Sequence, residues 1–221
     1  MGESMSLFLK TSAQEFRKKI IESVKYNYRK VYPQIKKAVR SLVVDEFNTA
    51  YFSHPTVRSL QTGDLKAEFG LQFAPVKVFQ IYEAFVKSLQ VNIGADKTNS
   101  VLNMRIEMAR SDFQDALRLD AAYQTWTDSA GQTVVGEPLP WLEWLITEGD
   151  NLIISDYRFS TRVTGRSNLP GIMVPGAGWR VPSEHSGTLE HNFLTEVFDK
   201  VREGVDKKLW RTVRLVLTRA S

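Results

Sequence analysis

The sequence predicts an α+β fold: long terminal helices packed on a small, mainly antiparallel β-sheet, with an extended Gly-rich loop. Three observations predict it. Apolar residues recur at helical spacing near both ends of the chain. The stretch Ser100 to Ala109 alternates instead, with Leu102, Met104, Ile106 and Met108 set against Val101, Asn103, Arg105, Glu107 and Ala109. That is the two-residue period of a strand with one apolar face. Turn-forming clusters, Asp128-Ser129-Ala130-Gly131-Gln132 and Pro175-Gly176-Ala177-Gly178, cut the middle of the chain into short segments.

In chain order, Ser12 with Glu15 three residues on forms a capping box. Phe16, Ile20, Val24, Tyr28, Val31, Ile35, Val39 and Leu42 follow in steps of three and four, the apolar stripe of a helix. Pro33 interrupts this pattern, so the helix is expected to kink, or to end near Val31 and restart. His54-Pro55 marks a break, and Thr56 to Gln61 fits one short helix. Gly63-Asp64 signals a turn, and Leu65 to Phe69 reads as a short strand or turn ending at Gly70. Pro75 opens a helix apolar nearly all round, through Val76, Phe79, Ile81, Tyr82, Phe85, Val86 and Leu89, and such a helix is expected to be largely buried.

Leu89 to Gly94 alternates weakly, and Asp112 to Tyr123 is ambiguous between strand and helix. The Asp128 cluster fits a hairpin tip, and Thr133 to Gly136 a short extended piece. Pro140 suits the first turn of a short helix whose Trp141, Leu142, Trp144 and Leu145 share one face, and Gly149 stops it. Asn151 to Ser160 reads as a strand, Arg162 to Gly171 as a loop rich in Gly, Ser and Pro, and Ile172 to Val174 as a strand. Thr188 is the candidate N-cap of the last helix, whose apolar face runs from Phe193 to Val216. Gly204 within it costs ~1 kcal/mol relative to Ala. The whole chain, 1–221, is expected to form one domain, with a helical part over 11–52 and an α+β body over 55–221.

The stretch from Pro138 to Phe198 carries a resemblance. The order Leu139-Pro140-Trp141-Leu142-Glu143-Trp144-Leu145, then Glu148-Gly149-Asp150, is followed by Gly165-Arg166-Ser167 and Gly171-Ile172-Met173-Val174. Trp179-Arg180-Val181-Pro182-Ser183-Glu184, Gly187-Thr188 and Asn192-Phe193-Leu194-Thr195 complete it. With Ser59 to Leu71 upstream, this resembles the tail-completion or neck proteins of tailed bacteriophages, which sit between the head connector and the tail tube. Its motifs concern packing and turns rather than ligands. The chain departs from the expected pattern where Asn168-Leu169-Pro170 replaces a plainer Gly/Ser loop.

The resemblance implies a structural virion protein, not an enzyme, assembled in the host bacterial cytoplasm. It would form a homo-oligomeric ring of six or twelve copies at the neck. Its partners would be itself, other neck and tail proteins, and genomic DNA in the lumen, with no membrane. A tail terminator capping the tube is an alternative within this class. A nucleic-acid-binding module using the basic helices is an alternative from another.

Composition is compatible with assembly. Of 221 residues, 43% are apolar, enough for a core. The sequence has no Cys, which removes disulfides, zinc ribbons and thiol nucleophiles. No apolar run approaches the ~18 residues of a membrane span. Met1 to Leu9 is too short and too weakly basic to read as a signal peptide. The net charge of +4 is unevenly spread. Nine basic residues lie between Glu15 and Arg40 against Glu15 and Glu22 alone, and seven lie between Lys200 and Arg219 against Glu203 and Asp206. Asp120 to Asp156 holds seven acids and no Lys or Arg. Segregation of this kind suits complementary faces of a self-assembling ring better than an evenly basic nucleic-acid binder.

Motifs of chemistry weigh little beside this. His54, His185 and His191 lack the spacing of a helical metal pair. The Pro175-Gly176-Ala177-Gly178 turn lacks the Lys-Ser/Thr ending of a phosphate loop, and no Gly-x-Ser-x-Gly elbow occurs. Glu143 and Glu148 diverge on their helix, which argues for a solvated face over an acid/base pair. No catalytic residue, cofactor site or metal site is therefore expected. Arg162, Arg166, Arg180, Trp179, Glu143 and Glu148 are the candidate oligomer-interface residues, and Trp141, Trp144 and Phe193 the core anchors. Arg166, within Gly165-Arg166-Ser167, could also meet phosphate, but no aromatic stacking partners flank it.

Overall fold

The computed structural model describes residues 13–95, 102–107, 115–125, 137–161 and 171–219. It is α+β and mostly helical. The helices are α1 (Ala13–Ser53), α2 (Pro55–Thr62), α3 (Asp64–Glu68), α4 (Ala74–Ser88), α5 (Trp141–Thr147) and α6 (Phe193–Arg219). The strands are β1 (Gln90–Ala95), β2 (Leu102–Glu107), β3 (Tyr157–Ser160) and β4 (Ile172–Pro175). They form two separate antiparallel pairs, β1 with β2 and β3 with β4. The first pairing runs from Gln90 opposite Glu107 to Ala95 opposite Leu102, with Val91 in register with Ile106 and Ile93 with Met104. A one-residue slip would break every such match.

The chain divides into two compact units. One comprises Met1–Leu42, Gln90–Glu107 and Lys207–Ser221. The other comprises Val43–Leu89 and Met108–Asp206, so residues 52–55, read from sequence as the seam between helical part and body, fall inside it. Thr133–Gly136 and most of the Gly-rich loop lie outside the described residues.

α1 is one unbroken helix containing Pro33, so the expected end near Val31 does not occur. Pro33 is exposed, on the side where water can bond to the carbonyl it leaves without a donor. The opposite stripe, Val31, Ile35, Val39, Val43 and Phe47, is buried, and the burial of these side chains offsets the local defect.

In the larger unit, Phe47 and Tyr51 at the end of α1 gather the other helices. Phe47 stacks on Phe198 of α6 at 5.3 Å and on Tyr82 of α4 at 5.7 Å. Tyr51 reaches Phe193 at 6.4 Å. Burial pushes the Tyr51 phenol far up from its ordinary value, and its hydroxyl donates to the Val78 carbonyl at 3.1 Å. A second aromatic group forms around Phe69, with Trp179 at 5.6 Å and Trp141 at 6.3 Å.

Several elements differ from the sequence reading. Leu65 to Glu68 is helical, and Phe69 caps that helix. Gly70, at φ 62°, lets Leu71 N–H reach the Lys66 carbonyl and its own N–H reach that of Ala67, a Schellman end. Only Tyr157–Ser160 of the expected 151–160 strand is paired as a strand; Ile154 forms an isolated bridge to Trp179. α4 is not buried all round, since Val76 and Phe79 are exposed while Val78, Ile81 and Phe85 form its inner face. Asn192, not Thr188, caps α6: its Oδ1 accepts from the N–H groups of Leu194 and Thr195, and Thr195 Oγ1 accepts from Asn192 N–H. Gly149, at φ 54°, does end α5.

Phe47→Ala is expected to cost about 3–5 kcal/mol in denaturant unfolding, because Phe47 is fully buried. A loss within 1 kcal/mol (roughly the scale of a surface change) would mean that the aromatic cluster does not hold the larger unit.

Candidate functional site

The His54-Pro55 pair places a proline at the start of α2 and a histidine at its N-cap. His54 Nδ1 accepts the Thr56 backbone N–H at 3.2 Å. That bond makes Nε2 the protonated nitrogen, which donates to Glu196 Oε2 on α6 at 3.1 Å. Thr56 Oγ1 shares a hydrogen bond of 3.0 Å with His185 Nδ1, carried on the turn after Pro182. A cleft of about 170 Å³ opens here, lined also by Glu184, Ser186 and Lys200.

The cleft carries polar side chains, and their hydrogen bonds latch neighbouring elements together. His54 and Thr56 are buried, and both His54 ring nitrogens are engaged. The bonds tie the start of α2 to the first turn of α6 and to the 182–186 turn. Among the described residues, no three His, Asp or Glu side chains are grouped to hold a metal ion. Burial holds the His185 imidazole below its ordinary range; neighbouring His54 acts in the same direction, and Glu184 and Asp64 oppose it.

The spacing of His54, His185 and His191 in the sequence gives no sign that two of them meet. Their meeting depends on tertiary packing, and the one local signal was a histidine directly before a proline that could open a helix.

The residues named from sequence fall in different settings. Trp179 is buried, its indole N–H donating to Glu68 Oε2 at 2.8 Å, so it faces the interior of its own chain. Burial raises the Glu68 carboxyl, while that indole bond acts to lower it. Trp141 is buried with its N–H on the Ala121 carbonyl at 2.8 Å, and Trp144 is half-buried, 6.2 Å from Trp179. Phe193 is buried beside Tyr51 and His54. Glu143 and Arg180 are exposed. Glu148 is half-buried and accepts from Asn151 at 3.1 Å. Arg162 and Arg166 lie outside the described residues.

Two surfaces were not singled out from sequence. Phe73 and Phe79 are 78% and 48% exposed, with Val76 between them. Phe73 sits at φ 54°, uncommon for a residue with a side chain. Near the C-terminal end of α6, Trp210 is 74% exposed among Arg211, Arg214 and Arg219, all exposed. Large side chains left outside in this way mark contact surfaces when they cluster.

No protein-family model, curated protein or solved structure matches this chain.

Stability is expected to fall as pH drops below ~6.5, the ordinary histidine value. In that window the unfolded chain protonates His185 before the folded one does, so acid favours unfolding. His185→Gln should flatten this part of a thermal-melting pH profile; an unchanged slope would remove His185 as its source.

Proposed function

We propose that this chain is a structural virion protein of a tailed bacteriophage, forming a ring at the neck that completes the tail and joins it to the head connector. The observation that carries the self-association half of this reading is the exposed Trp210 on a helix end with cations and no acid, in a chain that elsewhere concentrates its acids. An exposed indole beside one sign of charge is costly in a lone subunit and useful at a contact. The neck assignment rests on the motifs from Ser59 to Leu71 and from Leu139 to Thr195. These motifs supply caps, turns and buried anchors: Gly70 and Gly149 end helices, Asn192 begins one, and Trp141 and Trp179 fill the interior. That use suits a rigid building block.

Capping of the tail tube as a terminator is the nearest alternative, and it shares the ring. A nucleic-acid-binding module is the reading from another class, favoured by the same cations near Trp210. Among the described residues, no helix is long and apolar enough to cross a membrane.

Antibody labelling of purified virions tests the assignment. Label at the junction of head and tail is expected. Particles free of the protein, or label confined to the distal tail, would contradict it.

A further inference from the structure

We propose that the C-terminal end of α6 docks onto the acidic surface between Glu143 and Tyr157 of a second copy of this chain. The proposal rests on the self-assembly reading and adds the two surfaces that meet.

The first surface is the end of α6. From Lys207 to Arg219 there are five basic residues and no Asp or Glu. Trp210 and Arg214, one turn apart, share a helix face. Trp210 is 74% exposed and Leu215 48% exposed, so the cations surround apolar area as well as charge. An exposed Trp flanked by Arg has the composition of a binding hot spot.

The second surface supplies the complement. Glu143, Asp150 and Asp156 are exposed, in a stretch from Asp120 to Asp156 that holds no cation. Leu152, 53% exposed, and Tyr157, 47% exposed, add apolar area to the same segment, which is followed by the exposed Arg158. The seat is firmly held. Ile154 and Trp179 exchange backbone bonds of 2.7 and 3.1 Å, and Leu152 lies so close over Gly178 that a Cβ there would meet its Cδ1 at 2.4 Å. A cationic helix end with a protruding indole fits an acidic seat with protruding leucine and tyrosine in both charge and polarity.

Phosphate polymers and anionic lipid fit less well. Upstream of Trp210 on the same outer stripe, at steps of four and three, stand the exposed acids Asp199, Glu203 and Asp206. A nucleic acid or lipid surface laid along α6 would meet them. Trp210 is also the one aromatic residue between Lys200 and Arg219, whereas single-strand binding uses several stacking rings. A second copy needs to cover only the turns beyond Asp206.

Because the two surfaces differ, each copy offers one and accepts the other. Such a heterologous contact closes into a ring or runs on as a filament, according to the rotation between copies.

Mass photometry of charge-reversed chains at low ionic strength tests this. Arg211→Glu with Arg214→Glu disables the helix end; Glu143→Lys with Asp150→Lys disables the seat. All four positions are exposed, and circular dichroism with thermal melting confirms that each variant folds. Wild type is expected to form a discrete oligomer. Each double variant alone should be monomeric. Mixed one to one, the two should assemble into an oligomer in which they alternate, since every helix end then meets a seat of opposite charge on the other chain. The chain carrying all four changes should regain the oligomer. Trp210→Ala should raise the concentration needed for assembly about tenfold or more with melting unchanged. Double variants that assemble like wild type would overturn the docking, as would monomers that neither pair on mixing nor recover in the fourfold variant. Loss of the wild-type oligomer on nuclease treatment would also overturn it, in favour of nucleic acid as the occupant. A wild-type chain that stays monomeric defeats the self-assembly reading itself.

Discussion

Phe47 and Tyr51 set the constraint on which the larger unit depends. They stand at the end of α1, are almost wholly buried, and touch rings from both α4 and α6. Burying a phenol is costly unless its hydroxyl finds an acceptor, and the Val78 carbonyl supplies one. That bond ties α4 to the end of α1. The Phe69, Trp141 and Trp179 group repeats the solution, each indole N–H finding its own oxygen.

With the interior settled in this way, the polar latch follows. His54 begins α2 three residues after Tyr51 and reaches Glu196 on α6, three residues after Phe193. Aromatic packing sets the helices, and the histidine and threonine hydrogen bonds then hold their ends. The inward groups hold the larger unit together, while Trp210, Leu152, Phe73 and Phe79 stay exposed. The proposed role as a ring component asks nothing else of the chain.

Much of the architecture was legible in the sequence because helical period survives without its context. The α1 stripe, the α6 stripe and the alternation of β2 are all visible as spacing. The α+β class follows from those together with the turn clusters between them. What escaped is non-local or depends on backbone detail. Leu65 to Phe69 is too short for a period to show, and its helix is declared by Gly70 rather than by its own residues. Thr188 and Asn192 are both good caps, and only the position of Phe193 in the core selects Asn192. α4 looked buried all round because composition does not reveal how much neighbouring surface there is to cover it. For the candidate site, the charge segregation was legible. The meeting of His54 with His185, and the exposure of Trp210, were not, since both depend on which elements become neighbours.

The central claim is that identical copies of this chain close around an axis through two unlike faces. Negative-stain electron microscopy of the purified chain at low ionic strength tests it most directly. Class averages should show closed rings of one fixed copy number. Separate monomers in every class, or symmetric two-fold dimers joined by a single shared surface, would contradict the account.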